Sequence, residues 1–214
     1  MVKTALETGS DYNNRELPSV DINSSPLCFA VRFDHKPQIS GRKLSIGKNL
    51  RLYFSSPSLI LGSVLYNGLL ELKQFTLFNT KLTNPSASYI KEDHILQDTI
   101  MFKTLSPIVI RDHRRKERYV LPNEDAFSNS MMNALAEQWT KYHKEALDFE
   151  SNNKAKVEIL RFKKVVMTHY GGLVLGFTGN LKLVASPEVL EFFYHSGLGY
   201  RRSNGFGMVE VDRC

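Results

Sequence analysis

Two stretches of this chain are written in one order, and that order limits the folds open to it. RLYFSSPSLILGSVLYNGLLELKQFTLF (51–78) and LKLVASPEVLEFFYHSGLGYRRSNGFGMVEV (181–211) each read as strand, Ser-Pro, helix, glycine, strand. The second half adds the elements that precede its copy. MFKTLSPIVIR (101–111) is strand-like and a long helical stripe follows it. KVEILRFKKVVMTHY and LVLGFTGNLKLVA then flank Gly171-Gly172, a strong hairpin signal. Strand, helix, strand, strand, helix, strand is the βαββαβ split unit, which stacks its helices on one sheet face and leaves the other open. The expected fold class is therefore α+β, a tandem of ferredoxin-like (RRM-like) βαββαβ domains, the first incomplete at its N-terminus. Residues 1–26 are polar and read as an irregular segment, 27–98 as the N-terminal domain and 99–214 as the C-terminal domain with a glycine-rich loop.

Local signals place the elements. LCFAVRF (27–33) and KLSIGKNLRLYFSS (43–56) are expected strands joined by a turn with Pro37 and Gly41, and KQFTLFNTKL (73–82) alternates as another. Ser56 as N-cap with Pro57 at the first helical position starts one helix, and Ser186-Pro187 starts another. Asn123 or a near neighbour caps the long helix, whose apolar residues Phe127, Met131, Leu135, Trp139, Tyr142 and Ala146 step by three or four.

Charge and cysteine usage narrow the function classes. A net charge of +6 over 214 residues favours an acidic partner, either nucleic acid or an anionic membrane surface. No apolar run reaches the roughly 20 residues of a spanning helix, and MVKTALETGSDYNNRE has no signal-peptide core. A cytoplasmic protein with no membrane contact is expected. Cys28 and Cys214 form no metal or redox pattern, and the histidines lack H-x-x-x-H or H-E-x-x-H spacing, so neither metal nor cofactor is expected.

The chain closes on SGLGYRRSNGFGMVEV (196–211). Gly197, Gly199, Gly205 and Gly207 permit positive φ and close approach, so they can present bare N–H groups to an anion. Arg201 and Arg202, with Ser203 between the glycine pairs, would add charge-assisted contacts. On that reading a Cβ at Gly199 or Gly205 blocks phosphate more than it harms folding. The plain alternative is a helix C-cap followed by a tight turn into a last strand.

GLGYRRSNGFG resembles the G-h-G-x5-G-h-G signature of repeat-associated RNA-processing proteins, and more closely that of the CRISPR-associated endoribonuclease family that cuts repeat transcripts into guide RNAs. TLSPIVIR with YVLPNEDAFSNSMMNALAEQW resembles that family's second-domain start, and YFSSPSLILGSVLYNGLL its first-domain helix. The resemblance spans Phe29 to Val211. It implies tandem ferredoxin-like domains, CRISPR repeat RNA as partner, and metal-independent attack of a ribose 2′-hydroxyl on the adjacent phosphate, leaving a 2′,3′-cyclic phosphate and a 5′-hydroxyl. It also implies contact with other CRISPR-associated proteins in a larger ribonucleoprotein, or a monomer or homodimer acting alone. A member that holds repeat RNA without cutting is the rival reading.

Such cleavage needs proton transfer at the 2′-hydroxyl and at the leaving 5′-oxygen, and positive charge on the phosphate. The family's common histidine lies upstream of the strand matched by LCFAVRF, and residues 1–28 hold none. His35, beside Lys36 and close to Arg42 and Lys43, is the first candidate for the role, with Tyr200 and Arg201 next. The remaining histidines fall in the interdomain loop (His94), the basic loop (His113), the long helix (His143), near a hairpin tip (His169) and at the entry to the glycine loop (His195). An RNA track is expected along RDHRRKER (111–118), through Arg111, Arg114 and Arg115 with Lys116 and Arg118, and along ILRFKKVVM, through Arg161, Lys163 and Lys164.

Overall fold

A computed structural model describes residues 26–213 except 42, 78–79, 84, 148–154 and 170. Whether a first strand and helix precede Cys28 concerns residues 1–26, which lie outside the described ones but for Pro26. Packing groups the described residues into two units: 56–93, and 26–55 together with 94–213.

In the larger unit the βαββαβ order is complete. Strand β7 (Thr99–Thr104) leads to helix α2 (Phe127–His143), the long hairpin β8 (Lys156–His169) and β9 (Gly172–Val184), helix α3 (Pro187–Ser196) and strand β10 (Val209–Val211). The strands hydrogen-bond in the order β10-β7-β9-β8, all neighbours antiparallel. The Gly171 turn closes the hairpin at φ +77°, and Pro187 opens α3 behind Ser186, both as the sequence requires. One sheet face is apolar because alternate residues face it: Phe102 opposite Leu181 and Ile100 opposite Leu183. Phe102, Leu181 and Leu183 bury there with Met131 and Leu135 of α2 and Leu190 and Phe193 of α3. Each such side chain contributes about 1.5–3 kcal/mol by leaving water.

The α2 stripe is buried at Phe127, Met131, Leu135 and Trp139, while Tyr142 is exposed and Ala146 lies beyond the helix. Asn123 is not its cap. The helix begins after Ala126 with no side-chain cap, because a turn braced by Glu124 feeds it: the Leu121 N–H donates to Glu124 Oε1 at 2.8 Å.

The same unit holds β1 (Cys28–Phe33) and β4 (Leu50–Ser55), an antiparallel pair, and the short hairpin β2 (Gln38–Ser40) and β3 (Lys43–Ser45). The stretch 43–56 is thus two strands, since a Gly47-containing turn interrupts it. In the smaller unit, α1 (Leu59–Glu71) buries Leu61, Val64, Leu65 and Gly68. Its cap is Ser58, whose Oγ accepts from the Leu61 N–H at 3.3 Å; Ser56 braces the turn before it instead. The segment 73–82 is a hairpin, β5 (Gln74–Leu77) with β6 (Thr80–Thr83), rather than one strand. Among the described residues no helix is long and apolar enough to cross a membrane.

Candidate nucleic-acid interface

The glycine loop is packed from within. Gly197, Gly199, Gly205 and Gly207 all take positive φ, from +74° to +87°. A Cβ on Gly207 would overlap the Leu198 carbonyl, and one on Gly205 would press to 2.9 Å against the Phe29 ring of β1. At Gly199 it would meet the Val109 carbonyl oxygen at 2.6 Å, and at Gly197 the Gly207 oxygen at 2.8 Å. The expectation of bare glycine N–H groups is corrected at Gly197, Gly205 and Gly207. Gly197 donates to Phe193 O, Gly205 to Arg202 O and Gly207 to Pro107 O, at 2.9–3.1 Å. These glycines let two backbone segments cross at contact distance, and the donors of Gly197, Gly205 and Gly207 are already engaged.

The charges in the loop point in different directions. Arg202 turns inward and donates through one nitrogen to Gln138 Oε1 at 2.7 Å and to Gly199 O at 2.5 Å. Gln138, itself buried, donates onward to Ser196 Oγ and Gly197 O. Burial pulls the Arg202 guanidinium down to about 10, which still leaves it charged at neutral pH. It pins the loop to α2. Arg201 takes the left-handed conformation at φ +61°, which costs a non-glycine residue about 1–2 kcal/mol. Its guanidinium lies 2.9 Å from His169 Nδ1 at the β8–β9 hairpin tip and donates to Tyr119 OH at 3.4 Å.

Aromatic rings connect that arginine to Arg111 and Phe206. Arg111 lies 5.9 Å from the ring centres of both Tyr119 and Tyr200. His169 meets Phe206 edge-on, with ring centres 5.7 Å apart. The Tyr200 hydroxyl donates to Glu137 Oε2 at 2.9 Å. Burial first, then Glu137, pushes that phenol up to about 12, so it stays protonated at neutral pH. The Arg201 guanidinium thus meets a ring nitrogen and a hydroxyl, not a carboxylate, at these two contacts.

The basic loop is ordered by Asp112. Its carboxylate accepts from the N–H groups of Arg114 at 2.9 Å and Arg115 at 3.3 Å. The Arg114 bond chiefly, with help from Arg115, His113 and Arg118 and against its own desolvation, holds the carboxyl below its usual range. Arg118 pairs with Asp112 and Glu124, and Lys116 with Glu137 at 3.4 Å. Arg114 and Arg115 are left exposed at the tip.

The remaining assigned residues divide. Arg161 donates to Asn180 Oδ1 at 2.7 Å, and Asn180 donates in turn to Asp212. Register puts Lys163 opposite Thr178 and on the Arg161 face, the face His169 also shares, while Lys164 lies opposite Phe177 on the helix-covered face. No contact of His35 with the glycine loop is among the described ones. His35 lies beside Gly47 past the end of β1, whereas the loop packs on Phe29 near that strand's start; four residues of strand separate Phe29 from Phe33, about 13 Å. Ser203 lies in the 3-10 turn 202–204. His169, the residue that sequence reasoning passed over, carried no signal beyond its place near a hairpin tip.

Among the described residues no cluster of His, Cys, Asp or Glu suits a metal ion. A family profile described as CRISPR associated protein Cas6, C-terminal, matches residues 90–211. The chain belongs to that family. It is 22% identical over 171 residues to a CRISPR-associated endoribonuclease-like protein Cas6 of Pyrococcus furiosus, spanning 78% of this chain and 69% of that one. A solved structure of a Cas6-related gene from Pyrococcus furiosus superposes with TM-score 0.79 at 18% identity, covering 99% of this chain and 88% of that chain. Another, described as a RAMP protein binding different RNA substrates, gives 0.80 at 19% identity, covering 99% and 90%. The fold is thus the tandem ferredoxin-like one.

Proposed function

We propose that this protein binds CRISPR repeat RNA and cleaves the precursor transcript into guide RNAs, by metal-independent attack of a ribose 2′-hydroxyl on the adjacent phosphate. The new P–O bond closes a 2′,3′-cyclic phosphate as the bond to the 5′-oxygen breaks, and that oxygen leaves as a hydroxyl. The observation that carries the reading is the Arg201 cluster on the family's C-terminal loop. Arg201 and Arg111 are set among tyrosines and an imidazole, so they are ordered before RNA arrives. Charge held in place this way stabilises the phosphorane oxygens without reorganisation. Lys163 and the exposed Arg114 and Arg115 extend the phosphate track, and their contribution weakens with salt. His35 is assigned the proton transfer.

One observation favours the second reading, a repeat-RNA-binding member that does not cut: the strand length between His35 and the glycine loop. Incubation with a synthetic repeat RNA in EDTA separates the two. The proposal expects cyclic-phosphate products, none from RNA with a 2′-deoxy scissile nucleotide, and a rate loss of about 10²–10⁴-fold in His35→Ala with binding retained. EDTA-sensitive cutting, or full-rate His35→Ala, contradicts the mechanism. Tight binding by wild type without any cutting establishes the second reading.

A further inference from the structure

We infer that His169 is a positioning residue for RNA binding: it aims Arg201 at the phosphate, and so ties the grip of the glycine loop to the docking of the β8–β9 hairpin tip. The inference rests on the reading of Arg201 as a phosphate contact. Three observations converge on it. Arg201 holds φ +61°, one of two non-glycine residues with positive φ among the described ones, in a loop whose neighbours of that conformation are glycines. Glycine would adopt it without strain, so it is the side chain that the fold keeps. That side chain reaches His169 Nδ1 at 2.9 Å across 32 residues of sequence. The ring of His169 is in turn fixed edge-on by Phe206 of the glycine loop, and Phe206 clusters with Val109 and with Val174 and Met167 of the hairpin.

The chemistry of the contact is one-sided. A guanidinium only donates, so Nδ1 must offer its lone pair, and the ring is held neutral with its proton on Nε2. Tyr119 OH takes a second Arg201 nitrogen, and Arg111 stands over the Tyr119 ring. With one edge of the guanidinium fixed by neutral acceptors, its charge remains for an anion. A ring with no acceptor at this position would leave Arg201 free to rotate away.

The experiment uses the full chain and has two parts. In RNA-free protein, nitrogen NMR of His169 should show the Nε2–H tautomer, and Arg201→Ala should shift it toward a mixture. Affinity for repeat RNA is then measured for His169→Phe, His169→Asn, Arg201→Ala and His169→Phe with Arg201→Ala. His169→Phe should weaken binding about tenfold, as the loss of one charge-assisted contact does. His169→Asn, whose Oδ1 replaces Nδ1 as acceptor, should recover most of that. The double variant should bind no worse than Arg201→Ala, since the two residues act as one. An Nδ1–H tautomer, failed rescue by Asn, or fully additive losses would each overturn the inference. If Arg201→Ala leaves affinity unchanged while the tautomer is as expected, the reading of Arg201 fails and the positioning contact stands without its purpose.

Discussion

The glycine loop and the basic loop sit in the same unit and are built by opposite rules. In 197–207 the backbone is pressed against Phe29, Val109 and Leu198, the donors of Gly197, Gly205 and Gly207 go to carbonyls, and Arg202 turns in under it, half-buried. In 111–118 one carboxylate, Asp112, folds the chain back on itself, and Arg114 and Arg115 are left in solvent. The first region is held by shape, with Arg201 turned to the hairpin tip; the second is held by charge and offers charge. A glycine-rich signature here describes how a loop is packed more than what it binds.

The largest test of that contrast is a Cβ in the packed loop. Gly207→Val should lose roughly 2–5 kcal/mol, the sum of left-handed strain and overpacking. Gly171→Val, at nearly the same φ of +77° but in open space, should lose only the strain, about 1–2 kcal/mol. Chemical denaturation reads both. Equal losses would mean that packing adds nothing at Gly207, and the loop's glycines would return to a ligand-contact role.

A smaller effect separates the two arginines. Arg202→Met removes the donor to Gln138 Oε1 and Gly199 O, and should cost about 1–3 kcal/mol of stability. Arg114→Ala with Arg115→Ala should stay within about 0.5 kcal/mol, as exposed positions usually do. An unaltered melting midpoint in Arg202→Met would show that the buried guanidinium pins nothing.

Much of the fold was legible. The paired strand–helix–glycine–strand segments, the Gly171 turn, Ser186-Pro187 and the stripe from Phe127 to Trp139 act over short sequence distances, where propensity and period speak plainly. The site was less so. Positive φ and a missing Cβ serve an anion nest and a tight backbone crossing equally well, so four glycines could not choose between them. Arg201 and Arg202 are adjacent and chemically identical, and only Gln138 and His169, 64 and 32 residues away, send one inward and the other to the hairpin tip. Lys163 and Lys164 differ only in the pleat.

The most direct measurement is the salt dependence of repeat-RNA binding by variants of those two neighbours. Arg201→Ala should lower the slope of log Kobs against log salt by about 0.7, one single-stranded phosphate contact. Arg202→Met, compared at conditions where it is fully folded, should leave the slope at the wild-type value. A lowered slope in Arg202→Met with an unchanged one in Arg201→Ala would contradict the account, because the inward-turned arginine would then be the one that meets RNA.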